Sequence, residues 1–131
     1  MKNNGIIYNF LKSNGFKLIK EDTSVFFGDY YDIFTNICFL IKFSSSKSSE
    51  MIEIRYNQAN ENWYDLALVK AILYNEKKLD KITSIEEYKN FLQTNFTNIV
   101  KLFNKNSYPA TKEKLKILEK ERVKQMFPKM R

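Results

Sequence analysis

The chain has no histidine, one cysteine, two prolines and three glycines in 131 residues. Without histidine, the commonest general base is missing, and so are the Ser–His and Cys–His nucleophile pairs and the usual zinc and iron ligand sets. The single thiol, Cys38, has no partner for an intramolecular disulfide and cannot build a multi-cysteine metal site. It lies in the apolar run Ile37-Cys38-Phe39-Leu40-Ile41 and reads as a small buried hydrophobe. So few glycines and prolines supply few sharp turns, which disfavours a many-stranded barrel or sandwich. They also leave no glycine-rich loop to cradle a phosphate. No apolar run approaches the length needed to cross a bilayer, and the stretch MKNNGIIYNFLK lacks the continuous apolar segment of a signal peptide. The expectation is a cytoplasmic protein with no membrane contact and no cofactor.

What is present is aromatic and basic. Eleven Phe and eight Tyr within a 44% hydrophobic composition predict one domain, residues 1–131, with an aromatic core. The formal charge of +7 is unevenly spread. Lys112 to Arg131 holds eight basic and three acidic residues, whereas the rest of the chain is close to neutral.

Hydrophobic spacing divides the chain into a strand-rich first half and a helical second half. Asn3 to Ser13 predicts a short helix with Ile6, Ile7, Phe10 and Leu11 on one side, closed by Asn14-Gly15. Alternation predicts strands at Phe16–Lys20, at Val25–Phe27 and Tyr30–Thr35 (one bulged strand or two short ones), at Ile37–Phe43 and at Met51–Tyr56, with residues 44–49 as a hairpin loop. The stretch from Asn60 to Asn75 marks the change of character. Trp63, Leu66, Ala67, Val69, Leu73 and Tyr74 fall mostly at helical steps, and Asn62 is placed to cap the helix. Thr83-Ser84-Ile85-Glu86 matches a capping box, and Ile85, Tyr88, Leu92, Phe96, Ile99 and Phe103 form one long buried stripe. Pro109 suits the first turn of a last helix, which carries Leu115, Leu118 and Met126 and stops at Pro128. The expected class is α+β: an N-terminal helix, an antiparallel meander of three to four strands, then three C-terminal helices packed on the sheet.

Two constellations are candidates for function. Glu21 to Phe34 is acidic and aromatic, and Glu61-Asn62-Trp63-Tyr64-Asp65 is similar in kind. Exposed rings among carboxylates suit a protein interface, with the rings as desolvated anchors and the acids pairing with a basic partner. Asp29, Tyr30, Tyr31, Asp32, Glu61, Trp63 and Tyr64 are the interface candidates. The same pattern also fits a sheet core whose acids lie in solvated turns, since alternation turns about half of the rings inward. An acid–base or magnesium role for Asp29 and Asp32 lacks every accompanying part. The second constellation is Lys112, Lys116, Lys120 and Lys124, spaced by four on the last helix. Such a line can track nucleic-acid phosphates, although Glu113, Glu119 and Glu121 interleave with it and equally fit a solvated, salt-bridged face.

Asn14-Gly15-Phe16, Asn62-Trp63-Tyr64-Asp65-Leu66 and the capped start Ile85-Glu86-Glu87-Tyr88 give a layout that resembles the small immunity proteins of bacterial polymorphic-toxin systems, including contact-dependent growth inhibition. The resemblance implies a cytoplasmic, non-enzymatic monomer that binds one cognate toxin domain, often a nuclease, one to one. It blocks the toxin's active site or its access to substrate. Immunity partners of basic nucleases are often acidic, and this chain departs from that pattern.

Overall fold

Between Lys17 and Asp65 the chain runs back and forth in neighbouring antiparallel strands. They are β1 (Lys17–Thr23), β2 (Tyr30–Thr35), β3 (Phe39–Ser46), β4 (Ser49–Tyr56) and the two-residue β5 (Tyr64–Asp65), arranged in chain order. Helix α1 (Gly5–Ser13) precedes the sheet, and α2 (Leu66–Tyr74), α3 (Ile85–Thr94), α4 (Phe96–Leu102) and α5 (Tyr108–Met126) follow it. The structure, a computed structural model, describes residues 4–23, 30–46 and 49–128. The class is α+β as the patterns imply, with one strand more than three to four and one helix more than three after the sheet. The expected strand Val25–Phe27 lies outside the described residues.

Residues opposite one another in an antiparallel ladder share a face. Phe34 faces Ile41, Ile41 faces Ile54 and Ile54 faces Tyr64; Asp32 faces Phe43, and Phe43 faces Ile52. All of these are buried. The helices cover this face through aromatic edges. Tyr8 of α1 meets Phe34 at 4.7 Å and Phe43 at 5.0 Å between ring centres, Phe103 after α4 meets Phe39 at 5.6 Å, and Tyr108 of α5 stacks on Tyr56 at 4.1 Å. Such pairs contribute about 0.5–1.5 kcal/mol each beyond the area they bury.

The intervening residues face away from the helices. Lys20, Ile33, Lys42 and Glu53 form one row, and Asp22, Tyr31 and Ser44 the next. At the outer edge, the register of β1 shifts between Leu18 and Lys20, and Ile19 bulges out half-exposed. A bulge and flanking lysines keep an open edge from pairing with other strands.

Several boundaries differ from the sequence patterns, each for a local reason. Tyr64 and Asp65 pair with Ile54 and Glu53, so the backbone there is extended and α2 starts only at Leu66. Its cap is Asp65, whose Oδ1 accepts from the Ala67 amide at 2.8 Å, rather than Asn62. At α3 the capping box is Ser84 with Glu87, one residue later than Thr83 with Glu86: Ser84 Oγ accepts from the Glu87 amide and Glu87 Oε1 from the Ser84 amide. The long stripe from Ile85 to Phe103 is split at Asn95, where φ −111° and ψ 18° leave the helical range. The Asn95 side chain donates to the Tyr74 hydroxyl at 2.7 Å. Because α4 resumes at once, the stripe keeps its phase, and Tyr88, Leu92, Ile99 and Phe103 remain buried.

At the N-terminal helix, Asn14-Gly15 ends α1 as expected. Gly15 has φ +86°, and the Phe16 amide folds back to the Leu11 carbonyl at 3.0 Å. Ile6, however, is 81% exposed, and Tyr8 takes the place on the sheet that the pattern assigned to it. Ile37, 93% exposed, stands before β3 rather than in it.

Candidate functional site

The seven residues of the aromatic–acidic set divide three ways. Asp29 lies outside the described residues. Tyr30, Asp32 and Tyr64 are on the helix-covered face and buried, Tyr30 also lining one side of a surface hollow. The remaining three, Tyr31, Glu61 and Trp63, are half-exposed.

Asp32 is fully buried because α1 brings a donor to it: the Tyr8 hydroxyl donates to Asp32 Oδ2. Asn4 Nδ2 donates to the Tyr30 hydroxyl at 3.1 Å and to the Tyr8 hydroxyl at 3.3 Å, and Tyr30 donates to Glu50 Oε2 at 3.1 Å. Burial pushes both phenols up from their ordinary value, Tyr8 with the help of the Asp32 carboxylate and Tyr30 with that of Glu50. The two tyrosines therefore stay neutral donors over the physiological range, and the cluster ties α1 to β2 and β4.

Glu61 is also committed inward. Tyr108 of α5 donates to Glu61 Oε1 at 2.8 Å, and Lys112 donates to Oε2 at 3.0 Å. Partial burial alone would raise this carboxyl, but those two hydrogen bonds outweigh it and hold the group below its ordinary value. A member of the acidic set and a member of the lysine line thus bind each other. Asp65 repeats the arrangement farther along α5, accepting from the Tyr88 hydroxyl at 2.7 Å and from Arg122 at 2.9 Å. Gln125 adds two hydrogen bonds to the backbone of the loop after α2, accepting from the Leu79 amide and donating to the Lys77 carbonyl. These contacts fasten a helix whose buried residues, Tyr108, Thr111 and Leu115, all lie in its first half. Lys116, Lys120 and Lys124 remain exposed.

What stays accessible is the sheet face away from the helices. Lys42 Nζ stands 4.7 Å from the centre of the Trp63 ring and 3.3 Å from Glu53. Lys20 Nζ stands 5.7 Å from the centre of the Tyr31 ring. Both lie in the range where an ammonium is attracted to a ring face. Tyr31, Ile33 and Trp63 are half-exposed and outside the main core cluster. Beside them a hollow of about 510 Å³ is lined by Lys20, Asp22, Tyr31, Ile33, Lys42 and Ser44, among others. Sequence reasoning placed Tyr31 and Trp63 at a surface but missed Lys20, Ile33, Lys42 and Ser44. The period-two spacing of Ile33 from Tyr31 was the available signal; Lys20, Lys42 and Ser44 join that face only through the pairing of β1, β2 and β3.

The arrangement is suited to recognition: rings fixed by neighbouring lysines, a concavity, and charges at the rim. Among the described residues no three acidic, cysteine or histidine side chains converge as metal ligands, and no helix is long and apolar enough to cross a membrane. Compared with known proteins, the chain matches no family model, no curated protein and no solved structure.

Proposed function

We propose that this protein is an immunity protein: a cytoplasmic binding protein that neutralises one toxin domain by covering its active site or excluding its substrate. It acts without catalysis, as a monomer in a one-to-one complex. A nuclease domain is the class of toxin that the sequence resemblance implies. The observation that carries the reading is the sheet face left open by the helices, where Tyr31 and Trp63 stand half-exposed beside Lys20 and Lys42. Aromatic anchors with charged neighbours are what a protein interface enriches. The test is co-expression with the C-terminal domain of the polypeptide encoded immediately upstream. Growth rescue and a stoichiometric complex are the expected result; a harmless neighbour that does not co-purify would refute the reading.

The exposed line Lys116, Lys120 and Lys124 favours a second reading, a small basic protein that binds RNA or DNA through α5. It expects affinity for an oligonucleotide that falls steeply with salt and disappears when the three lysines become glutamates.

A further inference from the structure

An antiparallel sheet with one face packed against helices ordinarily presents a polar face to water. Here the water-facing side carries Tyr31 and Ile33 on β2 and Trp63 just before the edge strand β5, with Leu40, 7% exposed, in the next row. Charged residues surround them: Lys17, Lys20, Lys42 and Arg55, with Asp22 and Glu53 between. Half-exposed rings set among charged side chains are the anatomy of a docking surface.

The charge on that surface has a sign. Glu53 is paired with Lys42, and Arg55 donates inward to the carbonyls of Gln58 and Glu61. Four cationic side chains, Lys17, Lys20, Lys42 and Arg55, stand against two carboxylates, Asp22 and Glu53, so the face retains a small excess of positive charge. Of the acids that a basic partner would need, Asp32 lies in the interior and Glu61 and Asp65 clamp α5, which leaves Asp22 and Glu53 on this face. We infer that the sheet face carrying Tyr31 and Trp63 is the docking surface for the protein partner, and that the partner's carboxylates meet Lys20 and compete with Glu53 for Lys42. The inference rests on the proposed binding function and adds the face and the chemistry of what it binds.

A protein fits this face better than a nucleic acid does. Asp22 and Glu53 are interspersed with the lysines, so a phosphate backbone laid across the rows would meet two carboxylates. A protein surface can answer each charge separately. The hollow beside Tyr31 is also lined by Ser44, Ser45 and Ser46, a residue type whose hydroxyl can donate to a carboxylate.

The chain's only tryptophan is in the face, so its fluorescence reports occupancy directly. The probe is the upstream-encoded toxin domain, titrated into the intact protein. Trp63 emission should change on binding, and affinity should weaken as salt is raised. Lys20→Glu with Lys42→Glu should weaken binding roughly 100-fold, while Lys116→Glu with Lys120→Glu on α5 should leave it within about threefold. Because Lys42→Glu places two carboxylates together at Glu53, Lys20→Glu alone, on the exposed edge strand, is the variant that guards against misfolding. It should weaken binding about tenfold with an unchanged melting curve.

Full affinity in both sheet variants, with the complex intact, overturns the inference and leaves the proposed function standing. Absence of any complex overturns both. Quenching of Trp63 by a thymidine oligonucleotide of about 20 nucleotides, lost at high salt, would reassign the face to nucleic acid and overturn the inference as well.

Discussion

On one face of the sheet Phe34, Ile41, Phe43, Ile52 and Ile54 are fully buried, while on the other Tyr31, Ile33, Lys42 and Trp63 keep part of their surface in water. Strand β2 contributes to both. Its buried side carries a carboxylate, Asp32, and its open side an isoleucine, Ile33. Residue polarity therefore did not choose the face. Asp32 is supported inside by the Tyr8 hydroxyl, which donates to one of its carboxylate oxygens, and hydrogen bonding lowers the cost of burying a polar group. Ile33 stands outside because the parity of Phe34, Ile41 and Ile54 leaves it no choice, and a one-residue slip would turn every one of these inward residues out. One face is completed by the protein's own helices, and the other is left open.

The sharpest way to break this comparison is to truncate one side chain on each face. Phe43→Ala removes a ring packed against Tyr8 and Phe34 and should destabilise the domain by about 3–5 kcal/mol. Ile33→Ala, on the open face, should cost about 1 kcal/mol or less. Urea midpoints at unchanged m-value measure both, and equal losses would make the open face a second core.

A smaller effect tests why the carboxylate is inside. Tyr8→Phe keeps the ring against Phe34 but removes the donor to Asp32, with an expected cost of about 1–3 kcal/mol. No loss of stability would mean that the hydroxyl does not support Asp32.

The smallest effect concerns pH. The folded-state value of Glu61 is depressed, so its contribution is present above the ordinary 4.5 and disappears as pH falls below that value. Tyr8, Tyr88 and Tyr108 are raised, chiefly by burial, so their contribution is present below the ordinary 10.0 and is lost at higher pH. Melting temperature should be flat between these limits and decline outside them. Glu61→Gln should shallow the acid-side decline, and an unchanged decline would assign it to other carboxylates.

Much of the fold was legible in the chain because its signals are local. Alternation located β2, β3 and β4, Asn14-Gly15 located the end of α1, and the Ile85–Phe103 stripe located the helical face that packs on the sheet. The misplacements share a cause: the competing partner was distant in sequence. Asn62 lost the cap to Asp65 because β5 pairs with β4, and Asn95 broke the long helix where its side chain reaches Tyr74 on α2. The candidate site was harder to read. Glu61 and Lys112, assigned to rival readings, are a buttressed ion pair 51 residues apart. Only Tyr31 and Trp63 of the aromatic–acidic set stand on the face now proposed to dock a partner.

Composition and periodicity were enough to establish an α+β domain with an aromatic core, few turns and no histidine chemistry, because those properties depend on residue type and on spacings of two and of three to four. Which charges remain available was settled only by folding. The docking of α1, α3 and α5 brings donors far away in sequence to Asp32, Glu61 and Asp65, and a carboxylate so engaged is already paired within the fold. The lysines of the open sheet face gained no such set of partners from the helices, which is why the proposed docking chemistry rests on ammonium groups rather than on the acids.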